Sequence, residues 1–219
     1  MGVTDTSAGW SDAIADLVAG ACALGLILRP SAISQFEEYL STLLLWRRRL
    51  SLISVADVRT IVGNHVLDCL TVARFIRPGF RVADIGSGAG FPGIPLAIAC
   101  PDARVDLIES RRKKANFLRE VVRNARLGNA QVIEARAESI GAEFVDVYDI
   151  AVSRAVWEIP RLLQVCGKLL KRGGLAIAMK GPKALAEAAS HFNGFSEPQT
   201  VPYDLSGGAR RALLLFRKE

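Results

Sequence analysis

The sequence lacks most of the patterns by which metal sites, disulfide frameworks and hydrolases are recognised. Its four cysteines, at positions 22, 69, 100 and 166, lie far apart in apolar surroundings and form no CxxC pair. We therefore expect reduced, buried thiols, with neither a zinc site nor disulfides. No GxSxG elbow accompanies the two histidines, which argues against a Ser-His-Asp hydrolase. These absences predict a protein without a bound metal.

A membrane-directing segment is also lacking. No basic-then-apolar leader is present, and the apolar run from Ala13 to Leu28 carries Asp16, so it resembles neither a signal peptide nor a membrane span. We expect a cytoplasmic monomer that does not bind membranes. Half of the 219 residues are apolar, which is enough for a full hydrophobic core. Lys and Arg outnumber Asp and Glu by 28 to 22, which fits either plain solubility or a polyanionic partner.

The clearest signal in the chain is the stretch RVADIGSGAGFPGIP at residues 81–95. A short apolar run stops at Ile85 and is followed by Gly86, Gly88, Gly90 and Gly93. Residues without a Cβ can adopt φ > 0, so the backbone can turn sharply here and approach a ligand closely. The stretch predicts a nucleotide-type pocket.

The glycine spacing argues against a dinucleotide. In a fingerprint that starts at Gly86, the third glycine position is Phe91, which is too large for close packing of helix on strand. In one that starts at Gly88, Pro92 removes a backbone N–H near the point where a pyrophosphate needs one. The ligand that remains is an adenosyl group without a phosphate.

Acids at the ends of two strands complete this predicted pocket. Asp84 directly precedes the turn, and Glu109 ends the alternating segment RVDLIES. Glu109 lies about 20 residues after the loop, as the ribose-binding acid of a nucleotide fold does. The alternative is that Glu109 merely caps the helix that begins near Arg111.

The remaining pattern predicts an α/β fold behind an N-terminal helical region. Before Gly79, amphipathic periodicity indicates helices at 11–28, from 31 to the arginines at 47–49, and at 57–75. After it, we expect strands at 80–85, 104–109, 131–135, 147–152, 174–180 and 199–204 and in the tail, with helices at 93–100, 111–126, 158–171 and 183–191. This alternation implies a mostly parallel sheet with helices on both faces and ligands at the carboxyl ends of its strands. We assign residues 1–78 to the helical region and residues 79–219 to the sheet domain.

Further candidate residues follow strands or precede the sheet. Ala137 and Glu138 come after the third strand, where backbone groups or a short acid could contact an adenine. Arg154 comes after the fourth strand, where it either orients an anion or a base or is a solvated surface residue. His65 lies on the third helix, with Asp68 three residues later on the same side. This pair is either functional or an ordinary packed histidine with an acid nearby.

Together these segments resemble the ribosomal RNA small subunit methyltransferase G family, also called glucose-inhibited division protein B. The resemblance is carried by DIGSGAGFPGIPLAI, by Glu109 with SRRKKANFLREV, by ARAES, by SRA at 153–155, by MKG at 179–181 and by HVLDC upstream. It extends from about residue 35 to the tail. The chain departs from the family at 51–53, where Ser-Leu-Ile replaces Asn-Leu-Thr, and at Asn64, where the family has an arginine.

The resemblance implies a Rossmann-like class I methyltransferase fold with a seven-stranded sheet, S-adenosylmethionine as the cofactor, and 7-methylguanosine in 16S ribosomal RNA as the product. It implies that 16S ribosomal RNA or the small ribosomal subunit is the partner. The cofactor-binding positions carried over by motif are Gly86, Phe91, Ala137, Glu138 and Arg154, to which the residue patterns add Asp84, Gly88 and Glu109. Arg154 is the expected catalytic residue, because its guanidinium can orient the base or the methionine carboxylate.

Attack by guanine N7 also fits motifs that the chain lacks. N7 carries a lone pair and no proton, so positioning suffices and no general base is required. No Asn/Asp-Pro-Pro-aromatic string is present for an exocyclic amine, and no Pro-Cys pair for a pyrimidine ring. Basic clusters at 47–49, 111–114, 168–172 and 210–211 are expected to surround one cleft mouth and bind RNA phosphates. The alternatives are a methyltransferase for another substrate, either a small molecule or a protein, and a non-catalytic, cofactor-dependent RNA-binding module.

Overall fold

A computed structural model describes residues 7–55, 57–154, 157–180, 192–205, 208 and 210–219. Its sheet contains β1 (Arg81–Ile85), β2 (Arg104–Ile108), β3 (Ala130–Ile133), β4 (Tyr148–Arg154), β5 (Leu170–Lys180), β6 (Gln199–Asp204) and β7 (Arg210–Arg217). Their order is β3-β2-β1-β4-β5-β7-β6. β7 pairs antiparallel with β5 and β6, whereas the other pairs are parallel. The predicted mostly parallel, seven-stranded sheet is confirmed, with strand bounds shifted by a few residues.

The sheet order places the glycine loop at a switch point. β1 pairs with β2 on one side and with β4 on the other. The chain therefore winds outward in one direction after β1 and in the other direction after β3. In such sheets, a crevice opens at the carboxyl ends of the two strands where the winding reverses. The loop that follows β1 lies in that crevice.

Helices cover both faces of the sheet. They are α1 (Ser7–Ala23), α2 (Pro30–Leu50), α3 (Val58–Ile61), α4 (Leu67–Leu70), α5 (Gly93–Ala99), α6 (Arg112–Asn124) and α7 (Ile159–Leu169). Alternate residues of β1 enter different cores, because successive side chains of a strand point to opposite faces. Val82 joins the core that the helices before the sheet share with α5 and α6, whereas Ala83 and Ile85 join the core under α7. The predicted helix at 183–191 lies outside the described residues.

The first helix ends earlier than its periodicity predicts. α1 stops at Ala23, and Gly25 then adopts a φ of 78°. The N–H of Gly25 donates to the carbonyl of Cys22 at 2.8 Å, so a left-handed glycine closes the helix. Pro30 lies beyond the end of α1. It occupies the first turn of α2, where its missing N–H costs little.

The single helix expected at 57–75 is divided into several pieces. Asp57 caps α3 by accepting a hydrogen bond from the N–H of Thr60 at 2.7 Å. A π-helical turn, Val62–Val66, then separates α3 from α4, and a 3-10 turn follows at Ala73–Phe75. π-helical turns insert one extra residue into the helical repeat and are frequent at functional sites. His65 lies in this turn.

The structure also bears on the expectations about thiols, metal sites and membrane spans. All four thiols are free, but Cys22 is exposed and Cys100 is only half-buried, so the expected burial holds for Cys69 and Cys166 alone. In the described ranges, no group of three His, Cys, Asp or Glu residues is placed to hold a metal ion. None of the helices described is long and apolar enough to span a bilayer.

Candidate active site

The glycines after β1 serve two different purposes. Gly86, Gly88 and Gly90 have φ values of 75°, 54° and 95°, as the predicted sharp turn requires. Gly93 instead provides space. A Cβ at this position would lie 2.6 Å from Oδ2 of Asp84 and 2.2 Å from a methyl carbon of Leu107. The loop can therefore lie against the end of β1 only because Gly93 has no side chain.

Asp84 is a buried carboxyl group beneath this loop. Its Oδ2 accepts a hydrogen bond from the N–H of Gly93 at 3.0 Å. Its Oδ1 is buried and has no hydrogen-bond partner among the described residues. Burial raises the pKa of Asp84 to about 7, because the charged form loses its hydration. An orphaned buried oxygen of this kind calls for a polar ligand or a bound proton.

Glu109 joins the glycine loop to the helix that follows β2. Its Oε2 accepts from the N–H of Gly88 at 3.0 Å, and its Oε1 accepts from the N–H of Arg111 at 2.7 Å. The second contact is the capping role that the sequence left open, and the first lies in the predicted pocket. A carboxylate offers about four lone-pair positions. These two bonds therefore leave acceptor capacity for the hydroxyls of a ligand.

A cavity opens on each side of the glycine loop, and both have Gly86, Gly88 and Lys114 in their walls. The first, of about 350 Å³, also contains Glu109, Ala137 and Glu138, and we call it the Glu109 cavity. The second, of about 460 Å³, also contains His65, Asp68, Phe91, Arg154 and Tyr203, and we call it the Arg154 cavity. The predicted residues therefore divide between two adjoining spaces, with Asp84 buried between the loop and the sheet.

In the Glu109 cavity, Ala137 and Glu138 are placed as expected beside the end of β3. Ala137 is 5% exposed, and the two residues form part of a 3-10 turn. The Glu138 carboxylate forms an ion pair with Arg161 of α7, and this pairing lowers the pKa of Glu138. Sequence reasoning did not identify Arg161 as a wall of this cavity.

Arg154 is held by several groups at once. Its Nε lies 3.0 Å from Oδ2 of Asp68, and its Nη2 donates to Nδ1 of His65 at 2.8 Å and to the carbonyl of Asn64 at 3.3 Å. Its guanidinium lies 5.4 Å from the centre of the Phe91 ring. Only 17% of the side chain is exposed. The alternative of a solvated arginine at a strand end is therefore wrong.

Asp68 and Tyr203 hold the Arg154 side chain in position. The Tyr203 hydroxyl donates to Oδ1 of Asp68 at 2.5 Å, while Oδ2 faces Arg154, and the Asp68 side chain is 3% exposed. The sequence placed Asp68 on the same side of the helix as His65, and the structure joins the two side chains through Arg154. Tyr203 lies on β6, 135 positions from Asp68, and no signal in the sequence links them.

His65 is neutral and has a defined tautomer. An arginine can only donate hydrogen bonds, so Nδ1 of His65 must accept from Arg154 and the ring proton must be on Nε2. Burial, together with the charge of Arg154, lowers the pKa of His65 to about 4. The ring lies 5.3 Å from that of Phe91, measured between centroids. His65 therefore offers the cavity an N–H donor.

The basic clusters do not all surround one cleft. Lys114 and Arg211 line the Arg154 cavity, and the arginines at 47–49 precede residues 52–54 of its wall. Lys171, by contrast, lies at the start of β5, whereas Lys180 at the end of the same strand reaches the cavity. The cluster at 168–172 therefore lies at the opposite edge of the sheet, and its assignment to the cleft mouth was wrong.

Comparisons with known proteins agree with this geometry. A family model described as rRNA small subunit methyltransferase G (GidB) matches residues 32–211. The ribosomal RNA small subunit methyltransferase G of Pelotomaculum thermopropionicum is 40% identical over 209 residues, 91% of this chain and 87% of that protein. The protein of the same name from Stenotrophomonas maltophilia is 40% identical over 170 residues, 78% of this chain and 79% of that one.

Solved structures show the same fold. M. jannaschii TYW2 in complex with AdoMet matches with a TM-score of 0.54 at 20% identity, covering 71% of this chain and 76% of TYW2. A likeness at this identity concerns the fold alone, whereas the sequence matches cover most of the chain. The chain therefore belongs to the ribosomal RNA small subunit methyltransferase G family.

Proposed function

We propose that this protein transfers the methyl group of S-adenosylmethionine to N7 of a guanosine in 16S ribosomal RNA. The names of its relatives support small-subunit ribosomal RNA as the substrate, and the AdoMet complex of TYW2 supports the cofactor. We further propose that it acts as a monomer in the cytoplasm, with residues 79–219 as the methyltransferase domain.

One observation carries the choice of N7: among the described residues of the Arg154 cavity, no carboxylate or imidazole is free to act as a general base. Its carboxylate, Asp68, has both oxygens engaged, by Arg154 and by Tyr203. The lone pair of the neutral His65 ring faces Arg154. An acceptor that must lose a proton, such as an exocyclic amine or a hydroxyl, would find neither of these two groups free to receive it. N7 of guanine has no proton to lose.

The residues around the glycine loop fit the cofactor. S-adenosylmethionine supplies a methyl group on a positively charged sulfur. The unpartnered Oδ1 of Asp84 and the free acceptor capacity of Glu109 suit its ammonium and ribose hydroxyls. The complete set that we propose for the cofactor is Asp84, Gly86, Gly88, Phe91, Glu109, Ala137, Glu138 and Arg154.

The donors of the Arg154 cavity match the edge of guanine that carries N7. That edge presents N7 and O6, both acceptors, whereas adenine presents a donor beside its N7. We propose that the Nε2–H of His65 and the guanidinium of Arg154 face O6. An adenine amino group would meet these donors unfavourably, so the same two side chains would select guanine.

Catalysis then rests on alignment. Holding two reactants in a productive geometry can supply about 7 to 11 kcal/mol. Arg154 suits this task because its guanidinium is planar and is fixed at Nε and Nη2 by Asp68, His65 and Asn64. We propose Arg154 as the catalytic residue in this positioning sense.

The proposal is tested by mapping methylated nucleotides. Small-subunit RNA that lacks the modification is incubated with the protein and S-adenosylmethionine, both as free RNA and as assembled subunits, and is analysed by mass spectrometry. We expect one new 7-methylguanosine. Methyl groups on an exocyclic amine, on a pyrimidine or on ribosomal protein would contradict the proposal, and binding of RNA and cofactor without transfer would indicate a non-catalytic module.

A further inference from the structure

A second basic cavity lies at the edge of the sheet opposite the glycine loop. It measures about 320 Å³, and its charged walls are Arg74, Arg77, Lys171, Arg172, Arg217 and Asp149. These residues come from the segment before β1 and from the amino ends of β4 and β5, with Arg217 at the end of the antiparallel β7. This cavity and the Arg154 cavity therefore lie at opposite ends of the parallel strands.

The charge in this cavity is high and poorly neutralised. Five cations and one carboxylate give 5 − 1 = +4 in its walls, against +6 for the entire chain. Asp149 is already engaged by Lys171 at 2.7 Å and by the backbone N–H of Arg81 at 2.8 Å. Arg77 and Arg172 have no ion pair with any described residue. Such a concentration of one sign attracts a polyanion and repels itself when none is bound.

The remaining residues of the cavity wall suit a nucleotide better than an inorganic phosphate. Phe75 and Phe80 are half-buried and line the same space. Aromatic side chains beside cations form the arrangement on which unpaired bases stack while their phosphates are neutralised. A nucleotide of a single-stranded segment matches this combination of aromatic and positive walls.

We propose that this cavity binds a phosphate and its attached base from the RNA substrate, as a second RNA contact remote from the methyl acceptor. The proposal rests on the proposed function, since it assigns the ligand to the same RNA. A strand of five residues such as β1 spans about 17 Å, so the two contacts belong to different parts of one large RNA. The second contact anchors the substrate and takes no part in the reaction.

Neutralising the cavity tests the proposal. We would measure binding of small-subunit RNA over a range of salt concentrations for Arg77→Gln, Arg172→Gln and the double variant. The matched control is Arg29→Gln, an exposed arginine that lines neither cavity. We expect the salt slope of the double variant to fall by roughly 1.4 to 1.8 and that of the control to stay unchanged. In methylation assays, the double variant should show a raised KM for RNA and an unchanged kcat.

Three outcomes would overturn the proposal. The first is an unchanged salt slope in the double variant, and the second is a loss of kcat at constant KM. The third is tight binding of inorganic phosphate by the wild-type protein with the same RNA affinity in all variants, which would assign the site to a small phosphate. Binding and salt slopes remain measurable even if the wild-type protein methylates no RNA, so failure of the proposed function would be distinguishable. Calorimetry with S-adenosylmethionine verifies that each variant is folded.

Discussion

The buried carboxyl of Asp84 makes the stability of the ligand-free protein fall as pH rises. Its pKa is about 7 in the folded chain, against 3.8 for an ordinary aspartate. Between these values, the folded state keeps a proton that the unfolded state has released. Stability is therefore full below about pH 4, declines as pH rises, and levels off above the folded pKa.

The size of this loss of stability follows from the pKa shift of Asp84. About three pKa units at 1.36 kcal/mol each give a loss of about 4 kcal/mol between pH 4 and pH 7. His65 acts in the opposite direction: its folded pKa of about 4, against 6.5, adds stability as pH rises through the same range. Its ring is half-buried, so solvent screening reduces this gain to about 1 to 2 kcal/mol. A net loss of about 2 to 3 kcal/mol remains.

Urea unfolding between pH 4.5 and pH 8 would measure this balance in the wild type, Asp84→Asn and His65→Gln. An asparagine can still accept the hydrogen bond from Gly93, so the variant removes the titration and keeps the contact. We expect Asp84→Asn to reverse the slope, since the contribution of His65 then stands alone. We expect His65→Gln to steepen the decline. Identical profiles for the wild type and Asp84→Asn would refute the argument that Asp84 retains a proton at neutral pH.

Three further substitutions test the pocket and the Arg154 network. Gly86→Val places a branched side chain at a φ of 75°, which costs about 1 to 2 kcal/mol of stability. Calorimetry should show that the folded variant does not bind S-adenosylmethionine. An unchanged affinity would place the pocket elsewhere. Asp68→Asn removes the charge partner of Arg154, and we expect kcat to fall about 100-fold, the equivalent of roughly 3 kcal/mol, with cofactor affinity retained. Tyr203→Phe removes one hydrogen bond to Asp68 and should lower kcat only about tenfold, so equal losses in the two variants would contradict the assigned roles.

Local patterns were enough to predict the sheet and the glycine loop. Each parallel strand is a short apolar run bounded by polar or glycine residues, and each core-facing helix repeats its apolar residues at helical spacing. Asp84 and Glu109 were predictable because both end such runs. The positive φ values of Gly86, Gly88 and Gly90 follow from a sharply turning loop, whose backbone conformation residues with a Cβ rarely adopt. These features depend on near neighbours in the chain.

Two of the three features that were missed depend on distant neighbours. Tyr203 meets Asp68 only because β6 and β7 extend the sheet past β5, and periodicity contains no information on that meeting. The π-helical turn at His65 adds one residue to a helix whose apolar pattern continues through it. The cluster at 168–172 has the same composition whether it begins or ends a strand, so charge alone could not assign it to an edge of the sheet. Topology decided the Tyr203–Asp68 contact and the position of the basic cluster.

The Arg154 network supports the proposal that a highly polar site can transfer a methyl group without acid–base chemistry. A cavity that contained a free Asp68 carboxylate or an unbound imidazole nitrogen would be able to deprotonate an amine. Here Arg154 faces both groups, at 3.0 Å and 2.8 Å, and Tyr203 engages the remaining carboxylate oxygen. Removing Arg154 would therefore do two things: it would take away an orienting donor and release two bases. In the proposed reaction, the network would therefore link alignment of the guanine to the exclusion of acceptors that need deprotonation, because the same hydrogen bonds would perform both tasks.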